Sequence, residues 1–261
     1  MSNMHVGMNV TLTKPFILRC FIISLFLSLP FFLFLFRHLF SPQQHHRHVS
    51  IAATATTTNN NNSNLRIRPG YSSYDAYIQR QLNKTLNPRL RKIWTTRDWN
   101  RKIPVFARFF EELKEKKLLD KNSKALCIGA RVGQEVEALR RVGVWDSVGM
   151  DLVPYPPLVV KGDFHNQPFE NGTFDFEFSN VFDHALYPER FVAEIERTLK
   201  PNGVCVLHVA LSRRADKFSA NDLYSVEPLV ALFKNSALVH VRDVDGFGLD
   251  TEVAFRKNTL R

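Results

Sequence analysis

The chain has 261 residues, enough for one ordinary domain plus extensions, and a formal charge of +10. That charge is unevenly placed: residues 1–64 hold four Lys/Arg and no acids, residues 65–125 sixteen against six, and residues 126–261 fifteen against nineteen. A mildly acidic C-terminal half excludes a basic nucleic-acid groove there, so no nucleic-acid partner is expected, while the basic excess upstream suits membrane phosphates or an acidic substrate.

Residues 1–15 are a short tail, and residues 16–36, FILRCFIISLFLSLPFFLFLF, are almost wholly apolar. From Cys20 to Phe36 there are 17 residues without a charge, the short end of the ~17–25 that span hydrocarbon. Phe16 to Leu18 lengthen the run if Arg19 snorkels. A cleaved signal peptide is the competing reading, but its apolar core is shorter and ends in small residues, whereas this run ends in Phe and Arg37-His38. A membrane anchor at 16–36 is therefore expected. Positive charges flank it almost evenly, so orientation rests on the short N-terminal tail. The tail favours a type II single-pass protein of the secretory pathway, in the Golgi or endoplasmic reticulum. Sequons at Asn61, Asn83 and Asn171 are compatible with a glycosylated lumenal body.

Residues 37–65 read as a disordered stem, with a Thr/Asn-rich run that cannot bury a core. His45, His46 and His48 lack acidic or cysteine partners and read as a solvated cluster, so no metal is expected. Residues 66–121 form a basic helical extension. Tyr74, Tyr77, Ile78, Leu82 and Leu86 mark one helix ending at Asn87-Pro88, and Val105, Phe106, Phe109, Phe110, Leu113 and Leu118 mark a second after Pro104. Trp94 and Trp99 fall in the linking piece. The aromatics either pack on the main domain, the reading preferred here, or form a substrate lid.

Residues 122–261 read as an α/β domain. Ala125 to Ile128 is a buried strand, followed by a turn holding Gly129 and Gly133, and then a helix through Val136 and Leu139. Ser147 to Met150 is a second strand ending on Asp151. Strand, glycine turn, helix, strand, acid is a unit that sets a nucleotide-like ligand on a helix N-terminus and gives its ribose hydroxyls to the acid. Three prolines between Val153 and Leu158 forbid a crossover helix before the third strand, Leu158 to Asp163. Phe174 to Phe178 is a fourth strand, Pro188 opens a helix, and Val204 to Val209 is a fifth strand. Leu223 to Phe233 reads as a helix, and Leu238 to Val244 with Glu252 to Phe255 as a closing antiparallel pair. The expected architecture is a doubly wound sheet. In the usual strand order, Cys127 and Cys205 would have a strand between them and lie beyond disulfide reach. Gly129 to Gly133 gives G-x-x-x-G, not the G-x-G-x-x-G of a nicotinamide dehydrogenase.

The motif order from Lys124 to Lys257 resembles the class I S-adenosylmethionine-dependent methyltransferases of the small type 11 kind. ALCIGARVG stands at that family's glycine motif, GMD at its ribose acid, GDFHNQPFENGTFDFEFSN at its third and fourth strands, and ALYPERFVAEIERTLKPNGVCVLHV at its helix, turn and fifth strand. The Pro-rich piece after Asp151 resembles a membrane-anchored plant subgroup. The resemblance implies a Rossmann-like methyltransferase sheet with S-adenosyl-L-methionine as cofactor. It implies that Gly129 and Gly133 let the backbone approach the methionine end, and that Asp151 accepts the ribose hydroxyls. Asp163 would hold the adenine amino group with Phe164 on the ring, and Ser179 and Asn180 would line the mouth. Asp163 is otherwise a turn cap and Phe164 otherwise core. Catalytic groups are not identified: His184 is a weak candidate base against a helix-entry hydrogen-bonding role, and His165 is weaker still.

Two departures stand out. Cys127 occupies the place of an acid and Arg131 the place of a glycine. Glu135 then stands as a substitute negative charge, and Arg131 either turns outward or pairs with the methionine carboxylate. The expected function is a membrane-anchored methyltransferase acting on an unknown, acidic acceptor. The alternative is an inactive methyltransferase-fold scaffold or partner-binding protein.

Overall fold

Short apolar runs and glycine turns translate into a seven-stranded sheet. The computed structural model describes residues 64–212 and 216–259, all within one compact unit, Ala55–Arg261. The expected tail, membrane anchor and nearly all of the stem, with the His45, His46 and His48 cluster and the Asn61 sequon, lie outside the described residues. Among the described residues no helix is long and apolar enough to cross a membrane, and no group of His, Cys, Asp or Glu is placed to hold a metal.

The elements run β1 (Leu65–Ile67), α1 (Tyr74–Thr85), α2 (Pro88–Thr95), α3 (Arg97–Glu115), β2 (Ala125–Ile128), α4 (Gln134–Arg141), β3 (Ser147–Asp151), β4 (Val159–Lys161) and β5 (Phe174–Ser179). A 3-10 turn, Phe182–His184, leads to α5 (Pro188–Thr198), β6 (Leu199–Val209), β7 (Asn221–Leu223), α6 (Glu227–Leu232), β8 (Ser236–Asp243) and β9 (Thr251–Lys257). The main sheet has the order β4-β3-β2-β5-β6-β9-β8, parallel through β6 and antiparallel at β9 and β8. The chain winds outward from β2 in one direction to β4 and then resumes on the other side at β5. The crevice above β2 and β5 is thus a topological switch point, where open α/β sheets bind ligands.

Alternation sorts side chains to two faces. Cys127, Phe178, Val206 and Ala254 form one row, and Leu126, Glu177, Cys205 and Phe255 the adjacent row. The first row packs under α3 and α4, through Phe106, Phe109, Phe110, Leu113, Val136 and Leu139. The second packs under α5 and α6, through Phe191, Val192, Ile195 and Leu229. β5 separates Cys127 from Cys205, and both are free thiols.

Three expectations change. The helical extension packs on the sheet as preferred above, but the chain at its start, Leu65–Ile67, forms β1, antiparallel to β7, where stem and helix were expected. The second helix does not wait for Pro104 but begins at Arg97 and runs through it; Pro104 is exposed, and the neighbouring Ile103 and Phe106 are fully buried and hold the helix in place. Trp94 and Trp99 accordingly sit in helices. Leu223 to Phe233 is not one helix. Leu223 pairs with Leu65, and only Glu227–Leu232 is helical, with Pro228, whose fixed φ suits a first turn, as its second residue.

Candidate active site

The turn after β2 is bent by three left-handed residues, Gly129 (φ 73), Arg131 (φ 52) and Gly133 (φ 87). Arg131 therefore occupies a conformation that favours glycine, at a cost of about 1–2 kcal/mol. The turn is fastened to the end of β3. The backbone N–H groups of Gly129 and Ala130 donate to the Met150 carbonyl (2.8 and 3.1 Å), and that of Arg131 donates to Asp151 Oδ2 (2.9 Å). Asp151 Oδ1 accepts from the Val153 N–H at 3.4 Å. Burial pushes the Asp151 carboxyl up, against the pull of those N–H groups and of the Arg131 charge.

Glycine is required here for packing as well as for φ. A Cβ on Gly129 would meet Val181 at 2.4 Å, and one on Gly133 would meet Leu158 at 2.7 Å. Gly133 is the cap residue that precedes α4 and does not line the cleft. Ser179 also leaves the expected set, since it is fully buried with its hydroxyl donating to the Ile128 carbonyl. The other expected residues, Gly129, Arg131, Asp151, Asp163, Phe164, Asn180 and His184, line one cleft of about 930 Å3 including its open mouth.

Asp163 follows β4 and is tied into a network. Its Oδ1 accepts from the His165 N–H (2.9 Å), and the Tyr74 hydroxyl of α1 donates to Oδ2. His165 Nε2 accepts from the Tyr187 N–H at 3.2 Å, which puts the ring proton on Nδ1, 2.9 Å from the Tyr74 oxygen. His165 thus supports Asp163 and is not among the lining residues. Burial pushes the Asp163 carboxyl up, but the hydrogen bonds from His165 and Tyr74 outweigh it and hold the group below the usual range. Phe164 packs edge-on to Phe191, as a core residue would, and also lines the cleft.

At the glycine turn, Cys127 is buried in the core and its thiol is pushed well up, first by burial and then by the charge of Glu135. Glu135 is only 2% exposed; its Oε1 accepts from Asn180 Nδ2 at 2.9 Å and lies 3.5 Å from Arg131 Nη2. Glu135 Oε2 and Arg131 Nε are buried without hydrogen-bond partners. Each of these buried polar atoms calls for a partner, such as an ordered water or a ligand.

The opposite wall comes from the N-terminal helices, through Tyr77, Ile78, Gln81, Lys84 and Thr85 of α1, Trp94 of α2 and Lys102 of α3, with Gly246, Phe247 and Leu249 from the β8–β9 connection. Lys84 Nζ lies 3.0 Å from Asp216 Oδ2 and 3.1 Å from His184 Nε2. His184 Nδ1 is 3.1 Å from the Phe218 carbonyl, which only accepts, so Nδ1 carries the proton and Nε2 receives a hydrogen from Lys84. That geometry gives His184 the hydrogen-bonding role rather than that of a base. Burial pulls the Lys84 ammonium down, with Asp216 opposing; burial would raise Asp216, but Lys84, the Phe218 N–H and His184 together outweigh it and hold that carboxyl at about 2.

Sequence reasoning missed Tyr74, Lys84, Lys102, Asp216 and Phe247. A signal existed for two of them: Tyr74, Gln81 and Lys84 interleave with Tyr77 along α1 at helical spacing, placing polar groups beside an apolar stripe.

Residues 126–207 match the Methyltransferase domain family. A search of curated proteins finds no match. Among solved structures, the chain is similar to 1,6-didemethyltoxoflavin-N1-methyltransferase of Burkholderia thailandensis, solved with 1,6-didemethyltoxoflavin and S-adenosylhomocysteine. That likeness has 14% identity, covers 74% of this chain and 94% of the other, and has a TM-score of 0.57. It is also similar to a chain of the complex between the Haloferax volcanii Trm112 methyltransferase activator and a methyltransferase, at 16% identity, with 66% and 95% covered and a TM-score of 0.50. The described unit has the Rossmann-like fold of the S-adenosylmethionine-dependent methyltransferases.

Proposed function

We propose that the chain is a methyltransferase that uses S-adenosyl-L-methionine and acts on an acidic acceptor. One observation carries the reading. Asp151 at the end of β3 is bonded to the glycine turn, and it shares a cleft at the sheet's switch point with Asp163, the acid after β4. A nucleoside in that cleft would have its ribose hydroxyls at Asp151 and its adenine amino group at Asp163 beside Phe164. The unpartnered Glu135 and Arg131 atoms fit a charged end.

When bound, the cofactor supplies a methyl group on a sulfonium, a donor reactive enough that in-line positioning is the main demand on the protein. Asn180, Arg131 and the turn form the floor on which that positioning rests. The acceptor side is walled by Lys84, Trp94, Lys102 and Phe247. Lys84 there is paired with Asp216, whereas Lys102 has no carboxylate within hydrogen-bond range and supports an anionic acceptor, and the exposed Arg97, Arg101 and Arg108 of α3 extend the basic field outside. The apolar run at 16–36 supports membrane anchoring, with a type II orientation in the Golgi or endoplasmic reticulum and kinship to the membrane-anchored plant subgroup. The exposed Asn83 and Asn171 agree with a lumenal body.

The test is calorimetric titration of the full chain with S-adenosylhomocysteine. Binding that weakens at least tenfold in Asp151→Asn is expected, because a charge-assisted hydrogen bond is worth about 1.5–3 kcal/mol. No heat from the unaltered chain at millimolar ligand would leave the fold as a scaffold and end the enzymatic reading.

A further inference from the structure

We propose that the acceptor is methylated on a carboxylate that Lys102 holds in the cleft, so that the product is a methyl ester. The proposal rests on the methyltransferase reading above and deepens it, because the acidic group of the acceptor becomes the one that attacks.

Among the described residues that line the cleft, the other proton acceptors are already engaged. The Tyr77 hydroxyl donates to the His184 carbonyl at 2.8 Å. Both ring nitrogens of His184 are taken, by the Phe218 carbonyl and by Lys84. Asp216 accepts from Lys84 and, at 2.8 Å, from the Phe218 N–H, and a carboxyl held at about 2 takes up protons poorly. Against burial, His165 and Tyr74 hold Asp163 low, and Asp151 is fastened to the glycine turn. An alcohol must give up its proton to a base in order to be methylated. A carboxylate has none to lose. Its oxygen forms the new bond to the methyl carbon, and the carbon–sulfur bond breaks with its electron pair going to sulfur. The negative acceptor and the positive sulfonium become a neutral ester and a neutral thioether.

Lys102 is the group suited to hold such an acceptor. It stands on α3, outside the matched residues 126–207, and its side chain is only 13% exposed. The nearest carboxylate oxygen, Asp98 Oδ2, is 3.9 Å away, beyond hydrogen-bond range. The other oxygen of Asp98 accepts two bonds from the Arg97 guanidinium at 3.0 and 3.1 Å. The Phe247 ring centroid lies 4.9 Å from Lys102 Nζ. The charges around it are Arg131 of the glycine turn, Glu135 of α4, and Asp98 and Arg101 of α3, with Asp245 in the groove outside. Burial first, and then Arg131, pull the ammonium down to about 8. A carboxylate against Nζ offsets both effects. With one oxygen on the ammonium, the other is left to attack, and formation of the ester removes the ion pair and favours release. Lys84 is not available in this way, since Asp216 lies 3.0 Å from it.

The experiment follows the titration of Lys102 by NMR of ε-13C-lysine in the full chain saturated with S-adenosylhomocysteine, the signal being assigned by its loss in Lys102→Arg. Acetate at high millimolar concentration is the probe, with chloride and methyl acetate as controls. Acetate is expected to move the titration upward by about one pH unit, a tenfold drop in neutral amine, and the controls to leave it in place. An unmoved titration overturns the proposal, as does an equal effect of methyl acetate, which would mean occlusion without charge recognition. An equal upward move caused by S-adenosylhomocysteine alone overturns it too, since the lysine would then belong to the cofactor. Label carried from methyl-tritiated S-adenosylmethionine to glucuronate or benzoate should be released by mild base. Base-stable label on glucose or benzyl alcohol would make Lys102 a base and end the ester reading. A chain that binds no S-adenosylhomocysteine overturns the methyltransferase reading along with this one, so the two failures are distinguishable.

Discussion

Glu177 offers a quantitative test of how the sheet is buried. It sits in β5 between Leu126 and Cys205, with no exposed surface. One oxygen accepts from the Thr198 hydroxyl at 2.7 Å, and the other has no partner. Burial pushes its carboxyl up from 4.5 to about 8, against weaker opposing pulls from Thr198, Lys257 and Arg197. The folded state therefore keeps a proton that the unfolded chain has lost. Stability contributed by the neutral acid is intact below about pH 4.5 and declines as pH rises toward 8, because the unfolded state is the one that ionises. At 1.36 kcal/mol per pH unit, the cost at pH 7 is about 3 kcal/mol. Glu177→Gln removes the ionisation while the amide oxygen still accepts from Thr198. For a unit of this size, about 2–4 °C per kcal/mol converts that gain to an unfolding midpoint raised by roughly 6–12 °C at pH 7. Near pH 4 the two proteins should melt together. The assay is thermal unfolding of both chains from pH 4 to 8.5. Curves that stay parallel across that range would refute the argument, since they would mean that Glu177 ionises alike in both states.

Two further outcomes follow from the same contacts. Tyr74→Phe removes a donor that helps hold Asp163 low, so the pH below which S-adenosylhomocysteine affinity declines should move upward, read by calorimetry between pH 4 and 7; an unmoved limb would remove Tyr74 from the site. Phe110→Ala empties a fully buried position against Phe176 and Phe178 and should cost about 3–5 kcal/mol in urea unfolding, whereas a loss under 1 kcal/mol would show that α3 is only loosely attached.

Most of the sheet was legible because its signals are local. Ala125–Ile128 is a four-residue apolar run bounded by a glycine turn, Ser147–Asp151 ends on its acid, and the prolines after Asp151 do exclude a crossover helix. Local signals also located two acids of the cleft, Asp151 and Asp163, but not Asp216. They failed where tertiary pairing decides. Leu223 carries helix-compatible spacing toward Phe233, yet Leu65, 158 positions earlier in the chain, recruits it into a two-stranded ladder. Pro104 marked a helix start by its own chemistry, but packing of Ile103 and Phe106 carries the helix through it. Glu177 alternates with phenylalanines as an outward residue would, while helices cover both faces of β5 and bury it.

The candidate site divides along the same line. Asp151 and Asp163 are fixed by their own strand ends and can be read in order along the chain. Lys84 and Lys102 gain meaning only when α1 and α3 fold across the carboxyl ends of the strands, 27 residues from Gly129 in the case of Lys102. The resemblance covers the half to which the proposed function gives the nucleoside. The opposite wall of the cleft, which the proposed function gives to the acceptor, is built largely from helices outside that resemblance. Specificity should accordingly be sought in Tyr74–Thr85 and Arg97–Glu115 rather than in the strands. Exchanging the cleft-facing residues of those two helices is expected to change which acceptor is used while nucleoside affinity stays constant, and equal loss of both would place specificity back in the sheet.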